Sequence, residues 1–248
     1  MKPALDDAYL RVKRAREHIN AIRRMQRRLA IDPDAIAVEP YPETDEIPPD
    51  AIAFGVLGTG RKPRLVRMPK FKLPPPASSP DPRWSIRFGE TIYNLRAALD
   101  YLVYSLAHLD SGREKNGTQF PICSSPDSFK KGVKRGWLNG VNPSHRAAIE
   151  MLQPYPRRQG LDSLWLARLA EFSNPDKHRH LTVVDTGTKI FAAWRISATP
   201  TPGVSVDFSA SRYISLGDAD KTPLIPTLDS LLSHVAETLD QFKPDFPR

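Results

Sequence analysis

The chain has a single cysteine, Cys123, and no apolar run approaching the roughly 20 residues that cross a bilayer. One cysteine excludes an internal disulfide and a cysteine-rich zinc site. The lack of a long apolar run excludes a membrane helix. Arginines, not a secretory apolar core, fill Met1 to Leu29, so the expected location is cytoplasmic, with no membrane partner. Glycine is scarce beside proline, 13 against 25. The prolines cluster at 32–82 and 199–226, which reads as rigid, irregular connection on an ordered body and not as a disordered chain. What remains is ample for a core, since 40% of the 248 residues are apolar.

Charge is plentiful and uneven. The net value is +8, from 36 basic and 28 acidic groups. Residues 1–30 hold nine basic and three acidic groups, 31–60 hold seven acidic and none basic, and 61–89 hold eight basic and one acidic. Residues 111–160 add nine basic against three acidic, while 181–248 carry six against eight. Such blocks fit two arrangements: acidic and basic segments that neutralise one another within the fold, or a basic face that meets a polyanion such as RNA.

Hydrophobic spacing predicts the elements. Leu5, Ala8, Val12, Ala15, Ile19, Ile22 and Leu29 step by threes and fours, giving a helix over about 4–30. Within it, Arg23 with Arg27 and Arg24 with Arg28 are like charges four apart, a cost unless anions or acids compensate. Residues 31–50 form a Pro- and acid-rich connection. Alternation at Ile52, Phe54 and Val56 and again at Leu65 to Met68 predicts a hairpin. The glycines of Gly55 to Lys62 do not make a phosphate loop, because Arg61-Lys62 replaces the Gly-Lys-Ser/Thr ending. A central helix over about 84–109 carries Ile92, Leu95, Leu99, Leu102, Leu106 and Leu109 as its seam. Shorter helices follow near 126–137 and 143–152, with Asn142-Pro143 as a capped start, then one over 161–173. Extended runs at 181–186, 189–197 and 204–209 precede a last helix at 226–242.

Two polar sets could carry chemistry. Asn174-Pro175-Asp176-Lys177-His178-Arg179-His180 reads as a helix stop before Pro175 followed by a short turn capped by Asn174. His178 there is an acid/base candidate, and Arg179, Lys177 and His180 are charged or polar neighbours able to hold substrate. The second set is Asn94, Arg96 and Asp100 on the central helix, with Asn94 sharing a stripe with Tyr101 and His108. If the two sets meet, His178 can move a proton at a ribose hydroxyl or leaving oxygen, Arg96 and Arg179 can hold the phosphate, and Asp100 can orient His178 or Arg96. The competing reading is structural: Arg96 and Asp100 lock packing as an ion pair, and His178 bonds to backbone. A metal site built on His178, His180, Asp176 and Asp185 lacks a convincing fourth ligand arrangement, so neither metal nor cofactor is expected. No Gly-x-Ser-x-Gly elbow supports a serine hydrolase. Cys123, in the apolar run Phe120-Pro121-Ile122-Cys123, reads as a packing residue.

Gly89-Glu90, Tyr93 to Leu102, Gln119-Phe120-Pro121-Ile122, Gln153-Pro154-Tyr155 and Asp176-Lys177-His178-Arg179 together resemble a family of uncharacterised bacterial proteins over about 84–185. More loosely, the helical pattern resembles HEPN-type bundles, many of which are metal-independent ribonucleases that work as dimers. That resemblance implies RNA as partner and a homodimer as assembly. HEPN-type proteins usually carry an arginine, a polar residue and then a histidine four to six positions on, along one helix. Ahead of His178 on its preceding helix stands only Arg168, ten residues away, so Arg96 or Arg179 would have to replace the usual arginine.

The expected fold is therefore mostly α (α+β): a HEPN-like helical bundle with a small antiparallel β-sheet insertion, read as a single domain over 1–248. Its helical core covers about 4–30, 84–173 and 226–242, with the Pro-rich hairpin insertion at 31–83 and a β segment at 181–216. The expected function is RNA-directed, extending to metal-independent cleavage. The alternative is a non-catalytic binding or assembly protein of basic surface whose Arg96, Asp100 and His178 form a structural lock.

Overall fold

The computed structural model describes the backbone of residues 5–28, 37–39, 54–55, 65–66, 70–72, 81–155, 164–178, 184–197, 203–216 and 222–247. Side chains are described within 5–28, 81–155, 164–173, 214–216 and 222–247. Helix accounts for 74% of the residues that can be interpreted, so the mostly α class holds. The chain divides into two compact units, one of Met1–Arg28, Ser79–Gly187 and Tyr213–Arg248, the other of Leu29–Ser78 and Thr188–Arg212.

The first unit is the helical one. Helix α1 runs Asp6–Arg27 and buries Ala8, Val12, Ala15, Ile19 and Ile22, the stripe its spacing predicts. Helix α2, Pro82–Ser111, is longer at both ends than the seam alone indicates, because punctuation residues bound it. The Asp81 carboxylate accepts from the Arg83 backbone N–H at 2.9 Å with Pro82 in the first turn. At the far end Gly112 closes the helix at φ 66°, a left-handed conformation that glycine adopts without a Cβ penalty. The seam residues Ile92, Leu95, Leu99, Leu102 and Leu106 are all essentially inaccessible. Each is worth about 2 kcal/mol of burial. Around this helix pack α1, α5 (Leu164–His178) and α6 (Leu224–Phe242), and α1 also packs on α6. Across the α1–α6 contact, Tyr9 donates its hydroxyl to Asp240 at 2.6 Å and Arg23 pairs with Asp229.

Two short helices complete the unit. Helix α3, Pro126–Lys134, starts with a reciprocal cap between Ser125 and Ser128. Helix α4, Pro143–Met151, starts at Asn142, whose side chain accepts from the His145 N–H at 2.8 Å, as Asn142-Pro143 predicts.

Helix α3 ends at Lys134, short of the expected 137, and the boundary of α5 differs more. Helix α5 does not stop before Pro175; its backbone stays helical to His178. The proline forfeits one backbone hydrogen bond to the carbonyl four residues earlier, a local cost that the packing of α5 against α2 and α6 outweighs. The short capped turn expected at Asn174 is thus the last turn of a continuing helix.

Among the described residues of the other unit, β1 (Ala37–Glu39) pairs antiparallel with β4 (Lys70–Lys72), Val38 opposite Phe71. Inside that pair in sequence, β2 (Phe54–Gly55) meets β3 (Leu65–Val66) antiparallel. The segment 31–50, read as pure connection, therefore contributes a strand. The strands β5 (Val184–Ser197) and β6 (Gly203–Leu216) pair with each other. The two runs expected at 181–186 and 189–197 are one strand, continuous through Gly187.

Candidate functional site

The polar residues chosen on α2 do not form one set. Asn94 and Arg96 lie about 200° apart around the helix and turn to different neighbours. Arg96 donates to the Phe120 carbonyl and stands 3.5 Å from Asp100, while Asp100 accepts from the Phe120 N–H at 2.8 Å. The pair grips both polar groups of one residue's backbone, much as a neighbouring strand would. Burial pushes the Arg96 guanidinium down from its ordinary pKa, and the Asp100 charge opposes that shift.

Gln153 continues the grip. Buried at 4% exposure, it accepts from the Cys123 N–H at 2.9 Å and donates to the Pro121 and Ile149 carbonyls at 3.0 and 3.1 Å. The Gln119 N–H reaches the Trp137 carbonyl at 3.0 Å. An extended segment buried away from any sheet must satisfy its backbone otherwise, and here side chains do it. Cys123 is packed beneath, and burial raises its thiol pKa, as expected of a packing residue.

Asn94 belongs to the opposite side of α2. Its amide donates to the Glu90 carbonyl at 2.7 Å, and its oxygen takes a long contact of 3.4 Å from Arg11 on α1. Arg11 also reaches the Tyr101 hydroxyl at 3.5 Å, so the predicted Asn94–Tyr101 stripe faces α1. Lys177 and His178 fall in the last turn of α5, and their side chains, with all of Arg179 and His180, lie outside the described residues.

Between α1 and α2 a cleft of about 460 Å³ is lined by Arg11, Arg14, His18, Glu90, Tyr93 and Asn94, among others. A second of the same size shares Arg14, Ile86 and Glu90 and adds Arg24, Arg28, Arg83 and Arg87. Among the described residues, six arginines line this groove with one carboxylate, Glu90. Some of this charge is already partnered: Arg14 with Glu17 at 2.9 Å, Arg83 with Asp81, and Arg87 with Glu90 at 3.7 Å. Among the described residues Arg11, Arg24 and Arg28 have no carboxylate in ion-pair range. Helical spacing puts about 25 Å between the first and last arginine of α1 in this groove.

No family model, curated protein or solved structure matches this chain.

His18 is the groove residue that the sequence reading passed over. It is 2% exposed, and its Nδ1 stands 3.0 Å from both the Glu90 carboxylate and the Arg87 guanidinium. One ring nitrogen cannot serve both at once. Protonated, it donates to Glu90; unprotonated, it accepts from Arg87. Desolvation lowers the His18 pKa, Glu90 works the other way, and Arg14 and Arg87 reinforce the lowering. The signal was present in sequence, since His18 sits on the apolar stripe between Ala15 and Ile22.

A lowered folded pKa means that unfolding takes up a proton below the ordinary imidazole value of about 6.5. The stability tied to His18 is complete above that value and is lost as pH falls through the folded pKa. Thermal melts from pH 7.5 to 5 are expected to show a smaller acid-side loss in His18→Gln than in the wild type. Melting temperatures that fall in parallel would contradict this.

A further ionic cluster is filled by its own members. Asp110 accepts from the Asn142 N–H at 2.7 Å, the Asn142 amide at 2.9 Å and the His145 ring at 2.8 Å, and the other His145 nitrogen meets Asp245 at 3.3 Å. It ties the turn after α6 to α4. Among the described residues no three His, Cys, Asp or Glu side chains converge as metal ligands, and no helix is long and apolar enough to cross a membrane.

Proposed function

We propose that this chain is a HEPN-like, RNA-directed protein whose contact surface is the arginine groove between α1 and α2. The observation that carries the reading is the presence of Arg11, Arg24 and Arg28 in that groove with no carboxylate partner among the described residues. Like charges held side by side cost free energy that a phosphate chain relieves, with release of its counterions adding to the gain. Guanidinium groups also meet phosphate in a fixed two-pronged geometry that lysine lacks.

A second reading, cleavage of the bound RNA, is favoured by His18. It lies in the groove beside Glu90 and Arg87, four residues after Arg14 on one helix, a spacing that resembles the arginine and histidine pattern of HEPN-type proteins, although Ala15 stands where that pattern has a polar residue. In such chemistry a ribose 2′-oxygen, losing its proton to a base, attacks the adjacent phosphorus. The bond to the 5′-oxygen breaks as that oxygen gains a proton, leaving a 2′,3′-cyclic phosphate and a 5′-hydroxyl. Arginines would hold the phosphate charge that builds up. His178 at the end of α5 remains the rival acid/base.

One experiment separates these readings. A mixed RNA pool is incubated in excess chelator with wild type, His18→Ala and His178→Ala, and fragment ends and bound RNA are measured. Binding with an intact pool supports the binding reading alone. Cyclic ends lost in His18→Ala centre cleavage on the groove, and cyclic ends lost only in His178→Ala move it to α5. Failure to bind or cut the pool would overturn the RNA-directed reading.

A further inference from the structure

Arginines alone do not say which form of RNA the groove takes, but its apolar lining does. Resting on the RNA-directed reading, we propose that the groove binds RNA as a single strand, with a base stacked on Tyr93 and adjacent phosphates on Arg11 and Arg14. Tyr93 is 59% exposed and Ile86 46%. Both line the cleft. They are seven residues apart on α2, hence on one face and about 10.5 Å apart along the axis. The exposed aromatic ring therefore stands in the groove together with the cations.

The surroundings of Tyr93 suit a nucleotide. The Arg11 guanidinium lies 6.0 Å from the Tyr93 ring centroid and 5.4 Å from that of Tyr101. Its long contacts are to neutral groups, Asn94 at 3.4 Å and the Tyr101 hydroxyl at 3.5 Å, and Asp7 acts on it without an ion pair in range, so its charge stays available. A base on Tyr93 brings its own phosphate toward Arg11 and Arg14. Glu90, the one carboxylate among the described lining residues, repels phosphate but accepts from ribose hydroxyls and base amino groups. A duplex, with its bases stacked inside, offers the groove phosphates and ribose hydroxyls but no base face, and leaves Tyr93 and Ile86 in water. An unpaired strand covers them, which is how sequence-tolerant single-strand sites gain affinity beyond charge.

The test measures binding of a 12-nucleotide RNA, its blunt duplex and inorganic polyphosphate in chelator to wild type, Tyr93→Ala and Tyr93→Phe. Thermal melts check that this exposed position leaves folding intact. We expect the single strand to bind more tightly than the duplex, and Tyr93→Ala to weaken it by about tenfold. Tyr93→Phe keeps a stacking face and should retain single-strand affinity, and duplex and polyphosphate binding should not respond to either change. Equal affinity for single strand and duplex, or an undiminished Tyr93→Ala, would overturn the proposal while RNA binding itself stood. No binding of any of the three would overturn it together with the reading beneath it.

Discussion

Gln153→Ala is expected to lower the melting temperature by about 6–12 °C and to leave RNA affinity unchanged. The Gln153 amide joins the Cys123 N–H and the Pro121 and Ile149 carbonyls in a buried place. Alanine strands the first two, and each polar group left buried without a partner costs about 1–3 kcal/mol. A total near 3 kcal/mol corresponds to that shift for a chain of this size. Met151→Ala, at an exposed site two residues away, is the control and should change stability by less than about 0.5 kcal/mol. Arg96→Met should fall between them, since it keeps the stem but frees the Phe120 carbonyl and one side of Asp100. An unshifted melt in Gln153→Ala would contradict the account of the 119–123 segment as held by side chains.

Charge reversal in the groove has the opposite profile. Arg24→Glu with Arg28→Glu should weaken RNA binding by about 100-fold at moderate salt, with little change in melting temperature. Both arginines are exposed and without carboxylate partners among the described residues, so removing them breaks no ion pair there. Surface changes of this kind cost stability only a few tenths of a kcal/mol. Losing two phosphate contacts and adding two repulsions acts on binding alone. Arg16→Glu with Arg27→Glu places the same charge change on α1 outside the lining of the two clefts and should weaken binding less. If both double variants lose affinity equally, the groove has no special standing over general basicity.

The two profiles also explain what could be read from sequence. The seam of α2 was legible because every third or fourth residue is apolar over some five turns, a pattern that only burial on one side satisfies. Caps at Asn142 and the buried role of Cys123 were legible for the same reason, as local chemistry with local consequences. Arg96 and Asp100 stood out as polar residues on a greasy helix, and their pairing was visible. Their partner was not, because nothing within four residues reveals that Phe120 will lie across them. Three stretches distant in sequence meet there: the α2 pair, Gln119 to Ile122, and Gln153. Pro175 misled because a local cost of one hydrogen bond was read as a boundary, whereas tertiary packing decides.

His18 was missed for a different reason. In sequence its place on the apolar stripe of α1 marks it as buried, but its ionic partners become visible only when α1 is laid against Arg87 and Glu90. The groove as a whole corresponds to no contiguous stretch of sequence. It is made by two helices whose arginines, at 11–28 and 83–87, are separated by more than fifty residues.

The claim most open to direct test is that this groove binds RNA through its arginines. The measurement is the dependence of log affinity on log salt for a short single-stranded RNA. Three to six phosphate contacts give a slope between about −2 and −4, and Arg24→Gln with Arg28→Gln should reduce its magnitude by about 1.4. A slope near zero, or one that the double variant leaves unchanged, would contradict the account.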